Sequence, residues 1–502
     1  MYSTLPKIHQ LPQALYRADQ VRELDRLAIE KYQIPGQVLM ERAGEAAWHL
    51  IGQRWPRAAR LLVVAGTGNN AGDGFVVARL ARQAGLAVTV IQLGDRDKLR
   101  GDARHHALKY AALAGAWQPF EGRLPPADLV VDALFGTGLE RPVTGPWAEA
   151  VAAINRHSAP VLALDLPSGL QADTGAVLGT AVQAKATITF IALKQGMFTG
   201  EGPAYCGDIL FDALEVPARL YGHLLVSARR VDWAQQRDRI QPRRATAHKG
   251  HFGHVLAIGG DHGMGGAARL AAEAALRTGA GLVSLATRPE HLAPVLATRP
   301  EIMAHGIDDP ARLDPLLRRA THLAVGPGLG REAWGRALFE AALAAGRPLV
   351  VDADALHLLA EQPVQRDDWV LTPHPGEAAR LLDTCVAEVQ ADRFAAAEAI
   401  RRRYGGVVIL KGAGTLVVSG GDRRPAVCSD GNPGMASGGM GDLLTGVVAG
   451  WMAQGKAPAE AAELAVCLHA AAGDKAARAG RRGLLASDLL SHIRRLANPD
   501  NE

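Results

Sequence analysis

Cysteine is scarce in this chain: four residues in 502, at positions 206, 385, 428 and 467, with no CxxC or other metal-ligand spacing. That pattern argues against a zinc-ribbon or disulfide-stapled scaffold and points to a reducing, cytoplasmic setting. Aromatics are only 5% of the residues, and none interleaves with the arginine clusters at 401–403, 243–244 and 481–482. These clusters read as solvated helix faces and connector, not as a nucleic-acid track, and the formal charge of +4 is small for the length. No run of about 18 apolar residues occurs, so no membrane span is expected. The opening MYSTLPKIHQLPQALYRADQ lacks the apolar core of a signal peptide. What remains is a globular composition, 48% hydrophobic and 21% charged. It is too long for one ordinary core, and two domains are expected.

Glycine, by contrast, is plentiful at 56 residues, and seven of them fall in Gly431 to Gly450, GNPGMASGGMGDLLTGVVAG. From Met440 the pattern turns apolar at helical spacing through Leu443, Leu444, Val447, Val448 and Trp451, so a loop feeds straight into a helix. Glycines at 438, 439 and 441 let backbone N–H groups converge at the helix start, which favours an anion. Asp442 stands inside that anion hole. It is either the helix cap or a base that takes a proton from a hydroxyl attacking a phosphoryl group.

Two helices are expected over residues 19–50, broken at Ile34-Pro35-Gly36, with Asp19 as N-cap and a role in packing or dimer contact. A β/α alternation follows: strand Leu61–Ala65, a glycine-rich turn Gly66–Gly74, and a helix from about Phe75 to Ala84. Further strands are expected at Ala87–Leu93, Asp128–Val131, Val161–Leu164 and Ala186–Ile191, which makes a parallel doubly wound sheet with ligands at the carboxyl ends of its strands. Gly66-x-Gly68-x-x-Ala71, with Asp95 beyond the next strand, is a degenerate dinucleotide fingerprint. That rival leaves Asn69, Asn70 and Asp73 unexplained. Later strand ends lead to Asp132, Gly136-Thr137-Gly138-Leu139, Asp165 and Ser168. The donors are oxygens, which suits a hard cation better than zinc.

Periodicity fades between Pro217 and Gly250, where arginines accumulate. A second α/β series opens at His254–Ile258, with Gly263-Met264-Gly265-Gly266-Ala267 feeding a long helix to Arg277. Strands are expected at Leu282–Ala286, His322–Val325, Pro348–Val351, Val370–Leu371 and Val407–Leu410. Their ends place Gly326–Gly330, Asp352-Ala353-Asp354, Thr372–Glu377 and Lys411-Gly412-Ala413-Gly414-Thr415 along one sheet edge. His374, held between two prolines beside Glu377, is a candidate ligand contact, and Lys411 a candidate for steering a phosphate.

The stretch Gly439-Met440-Gly441-Asp442 resembles the GxGD signature of ribokinase-like kinases, and from Asn432-Pro433-Gly434 onward it looks like the NAD(P)HX dehydratase branch. The first half resembles the NAD(P)HX epimerase domain, known as the YjeF N-terminal domain. The marks are Asn69-Asn70-x-Gly72-Asp73, Asp132 with Gly136-Thr137-Gly138-Leu139-Glu140-Arg141-Pro142, Asp165-x-Pro167-Ser168, Thr189-Phe190 and Lys194. Nearly the whole chain therefore resembles the bifunctional NAD(P)H-hydrate repair enzymes. The resemblance implies two doubly wound three-layer α/β domains, Rossmann-like and then ribokinase-like: an epimerase domain over 1–220, a linker over 221–249 and a dehydratase domain over 250–498. It also implies potassium on Asn70, Asp132 and Ser168. The hydrate would lie on Asn69 to Asp73 (Ala71 and Gly72 included) and Gly136 to Pro142, with Asp165 acting on its carbon. In the second domain the hydrate would meet Ala267, Gly328, His374 and Asp442, and ADP or ATP, screened by magnesium, would meet Lys411 to Thr415 and Gly441. The substrates would be NADHX and NADPHX, and the assembly a homo-oligomer, tetramer or higher. Ala71 stands where Gly is common and would strain a backbone of positive φ; His357 stands where Asn is usual. A vitamin-type kinase fused to a non-catalytic dinucleotide-binding domain is the rival reading.

Overall fold

The computed structural model describes residues 11–498. Met1–Gln10, part of the opening in which no signal peptide was read, lies outside them. The chain forms two compact units, Met1–Arg229 and Arg230–Glu502. Among the described residues no helix is long and apolar enough to cross a membrane.

In the first unit seven strands lie in the order Ala116–Pro119, Ala87–Gln92, Arg60–Ala65, Leu129–Ala133, Val161–Leu164, Ala186–Phe190 and Asp208–Asp212, all parallel. The inner strands are buried along their length, as strands of a parallel sheet covered on both faces must be. Separate apolar clusters around Phe75 and Val63 and around Val64 and Val151 fill the two faces, giving three layers. The strand order reverses between Arg60–Ala65 and Leu129–Ala133, which opens a crevice at their carboxyl ends.

Local details differ from the sequence reading. The helix after the first inner strand begins at Asn69 and runs to Gln83, so most of the expected turn is already helical. Gly72 and Gly74 sit inside it because a Cβ would strike the Met40 side chain or lie 2.7 Å from the Ala133 Cβ. Ala71 is buried in that helix and is absent from the positive-φ residues, so the expected strain does not arise. The helix Ala18–Glu30 takes Arg17 as its N-cap; Asp19 lies in the first turn. Asp95 caps the short 3-10 turn Arg96–Lys98. A short strand Ala14–Tyr16, not anticipated, pairs with Leu193–Lys194 on one side and with Ala228 and Arg229 on the other.

The second unit has the same logic. Met303–Gly306, Leu282–Thr287, His254–Ile258, His322–Val325, Leu349–Val351, Trp369–Leu371 and Val407–Leu410 are parallel, and Leu416–Val418 and Ala426–Cys428 extend the edge antiparallel. The order reverses between His254–Ile258 and His322–Val325. Helices Gly265–Thr278 and Met440–Ala453 pack closely: a Cβ at Gly446 would run into the Ala271 carbonyl oxygen, and one at Gly450 would lie 2.9 Å from the Thr278 Cβ. The unit boundary falls inside 221–249, a segment that carries part of its unit's core: Arg230 is fully buried, paired with Asp232, and Trp233 is buried beside it.

Candidate active sites

The crevice of the first unit is a cavity of about 1250 Å³, lined by Asn69, Asn70, Asp73, Gly136 to Pro142 and Asp165. Ala71 and Gly72, expected with them, are buried in the helix Asn69–Gln83 beside these lining residues. Phe135 and Trp147, with ring centroids 4.8 Å apart, give it an apolar wall. Asp165 stands at the end of its strand with φ 65, a left-handed backbone that non-glycine residues hold only where the surroundings enforce it. The enforcement is visible. Asp165 N donates to the Ile188 carbonyl at 2.7 Å, and its Oδ1 accepts from the Lys194 ammonium, Thr189 Oγ1 and Phe190 N. Lys194 is fully buried and also donates to Thr189 Oγ1 at 2.8 Å and the Phe190 carbonyl at 3.1 Å. With Oδ1 so occupied, Oδ2 is left beside Gly136, whose Cβ would lie 3.7 Å away.

Behind this wall Asp132 and Ser168 are buried and knitted together. Asp132 Oδ1 accepts from Ser168 Oγ at 2.7 Å and Leu134 N at 3.2 Å, and Oδ2 accepts from Ser168 N at 2.8 Å. Asn70 Nδ2 donates to the Phe135 carbonyl at 2.8 Å, while its buried Oδ1 has no partner among the described residues. Burial pushes the Asp132 carboxyl up to about 6 despite those donors. An orphaned amide oxygen, a hydroxyl and a carboxylate that lacks a countercharge form a donor set that fits an alkali cation.

In the second unit Asp352, Glu377, Lys411 and Asp442 converge. Lys411 Nζ lies 2.7 Å from Asp352 Oδ1 and 3.6 Å from Glu377 Oε2. Thr445 Oγ1 donates to Asp352 Oδ2 at 2.7 Å. Burial alone would lower Lys411; the Asp352 and Glu377 carboxylates outweigh it and raise the ammonium. Burial, reinforced by repulsion from Asp352, pushes Asp442 up to about 6. Gly441 closes the gap, since a Cβ there would lie 3.2 Å from Lys411 Nζ. Gly439, at φ 86, is the N-cap, and Asp442 sits three residues in without making a side-chain cap bond.

His374 is partly structural: its Nδ1 accepts from Gly376 N and Glu377 N, capping the helix Pro375–Leu382, while Nε2 lies 3.4 Å from Glu377 Oε1. Ala267 and Gly328 meet at the switch point, where a Cβ on Gly328 would lie 3.3 Å from the Ala267 Cβ. In the Lys411–Thr415 turn, Thr415 Oγ1 donates to the Gly412 carbonyl at 2.9 Å, and buried Arg393 braces the turn from below through the Leu410 and Lys411 carbonyls at 3.2 Å each.

Asp352, Arg393 and His469 were not singled out from sequence. Asp352 had a signal, a strand end on the ligand edge. Arg393 and His469 come from helices with no local motif. His469 is buried, its Nε2 unpartnered among the described residues, and burial next to Lys411 lowers it to about 4.

The two crevices define a class: an epimerase-type Rossmann domain followed by a ribokinase-like domain with a GxGD helix. Residues 36–196 match the family of YjeF-related protein N-termini, and residues 255–495 match NAD(P)H-hydrate dehydratase. The chain belongs to the bifunctional NAD(P)H-hydrate repair enzyme family. It is 49% identical to the bifunctional NAD(P)H-hydrate repair enzyme Nnr of Coxiella burnetii, over 97% of this chain and 99% of that one. It is 42% identical to that of Escherichia coli K12, over 98% and 95%. A ribokinase-like superfamily protein of Enterococcus faecalis V583 superposes at a TM-score of 0.51 with 28% identity, covering 55% of this chain and 97% of that one.

Proposed function

We propose that residues 1–220 interconvert the R and S hydrates of NADH and NADPH, that residues 221–249 connect, and that residues 250–498 dehydrate the S form with ADP or ATP. The hydrate carries its hydroxyl on C6, next to the ring nitrogen, and hydroxide is a poor leaving group. Asp442 takes the hydroxyl proton as the oxygen attacks the terminal phosphoryl group. The nucleotide leaves one phosphate shorter; loss of phosphate from C6 and of a proton from C5 restores the dihydronicotinamide. The Gly438–Gly441 backbone and Lys411 face the transferred phosphate. In the first domain Asp165, held by Lys194, exchanges the hydroxyl proton while the N1 lone pair expels and readmits the oxygen.

Potassium would be held by Asn70, Asp132 and Ser168, supplying a fixed positive charge beside the Asp132 carboxylate. Magnesium would be carried chiefly by the nucleotide phosphates; among the described residues no three His, Cys, Asp or Glu side chains gather as a metal cage. A reducing cytoplasm suits the four free cysteines, and light scattering would read the homo-oligomer.

The observation that carries the reading is Asp442 inside a glycine-led helix start, against Lys411 and without a capping bond. The test follows recovery of NADH absorbance from mixed hydrates with each nucleotide in turn, together with release of free phosphate. A product that keeps its phosphate would instead mark a vitamin-type kinase.

A further inference from the structure

The cavity of the first unit holds a second carboxyl that the reaction above leaves idle. Asp25, on the helix Ala18–Glu30, lines the same cavity as Asp165 and Asp73, half-buried, and makes no hydrogen bond or ion pair among the described residues. A carboxyl in a crevice with nothing in the chain to hold it is available to a ligand. The groups around the cavity are mixed: Asp73 from the helix Asn69–Gln83, Asp102 from Gly101–Ala111, Glu140 and Arg141 from the loop, Arg22 from its own helix, and the Asp165–Lys194 pair. Lys194 is spent on Asp165 Oδ1. Asp25 makes no such ion pair among the described residues.

We propose that Asp25 is the proton donor of epimerisation, working with Asp165, the carboxyl that Lys194 holds. The step rests on the epimerase reading above. The C6–O bond breaks as the N1 lone pair forms the N1=C6 double bond, and the oxygen leaves as water with the Asp25 proton. Water then adds to the other face of C6 and gives a proton to Asp165, and the proton returns to Asp25 between the two carboxyls. Burial and repulsion from Asp165 push the Asp25 carboxyl up to about 6, which keeps part of it protonated near neutral pH. Burial, with repulsion from Asp165 and Asp25, also pushes the neighbouring Asp73 carboxyl well above the ordinary carboxylate range.

The experiment measures R-to-S interconversion of NADH hydrate by chromatography, without nucleotide, on the full chain carrying Asp25→Asn, Asp25→Glu or Asp165→Asn, across pH 5 to 9. Asp25→Asn is expected to lose about 10²-fold or more and to lose the alkaline limb, the fall in rate as Asp25 deprotonates. Asp25→Glu is expected to keep that limb, displaced in pH, and at least about a tenth of the rate. A rate within about threefold of the parent in Asp25→Asn, well short of losing a proton donor, overturns the proposal. So does an alkaline limb unmoved in Asp25→Glu, which decides the matter even where Asn unfolds the unit. A parent that interconverts nothing, or an Asp165→Asn variant with the parent's rate, would instead overturn the epimerase reading itself.

Discussion

Asn in place of Asp442 keeps the size and removes the ability to accept a proton. Because the cap is Gly439 and Asp442 makes no capping bond, Asp442→Asn should fold with little change in stability. It should bind adenine nucleotide at least as well, and lose phosphate release and dehydration by about 10²- to 10⁴-fold. Dehydration within about tenfold of the parent would leave the mechanism without its base. The pH dependence has a definite sign. The base works deprotonated, and burial has raised it to about 6, so kcat/KM for the S-hydrate should be level above that value and fall tenfold per pH unit below it. A flat profile down to pH 5 would contradict the assignment. At Asp132, replacement by Ala removes the only carboxylate of the Asn70–Asp132–Ser168 set, and thallium soaked into crystals should no longer give anomalous density there; persisting density would remove the cation site. Some of this chemistry was legible residue by residue: Asp442, Asp165 and Asn70 stand in motifs whose glycines announce them. Asp352 was marked only by its strand end on the ligand edge, and Asp25 and His469 not at all, because each comes from a helix whose own neighbours carry no motif.

At the scale of elements, buried strands were legible because short apolar runs bounded by glycine or polar residues have few other homes: Val161–Leu164, His254–Ile258, His322–Val325 and Val407–Leu410 fall where expected. The start at Asn69 was not, because glycine reads locally as a turn signal, whereas Gly72 and Gly74 answer to neighbours elsewhere in the chain, Met40 and Ala133. Three-residue strands such as Ala14–Tyr16 are too short to carry a periodicity to read. The same kind of close approach gives a prediction. Gly446 faces the Ala271 backbone, which cannot move aside as a side chain can, so Gly446→Ala should destabilise the second unit by about 1–3 kcal/mol. A lowered unfolding midpoint would register it, and an unchanged midpoint would mean that the two helices are not packed as described. Because Gly446 is one turn beyond Asp442, the dehydration rate of the folded fraction is a sensitive second reading of the same shift.

For the molecule as a whole, the proposed site residues divide between the units: Asn69 to Lys194 lie in the first and Ala267 to Asp442 in the second. Asp165→Asn should therefore dehydrate the S-hydrate at the parent's rate while the R-hydrate is consumed only as fast as it epimerises spontaneously. Equal loss on both epimers would mean that the two activities share one site.

That division has a consequence for mixtures. Asp165→Asn and Asp442→Asn chains, each unable alone to turn the R-hydrate efficiently into NADH, should do so when combined, because the S-hydrate made on one molecule can leave it and be finished on another. The recovered flux should rise with the concentration of either partner until the other becomes limiting, as for two separate enzymes sharing a soluble intermediate. Should the mixture behave so, tethering would serve to supply the two activities in equal amount, both on one chain, and not to pass the substrate between them.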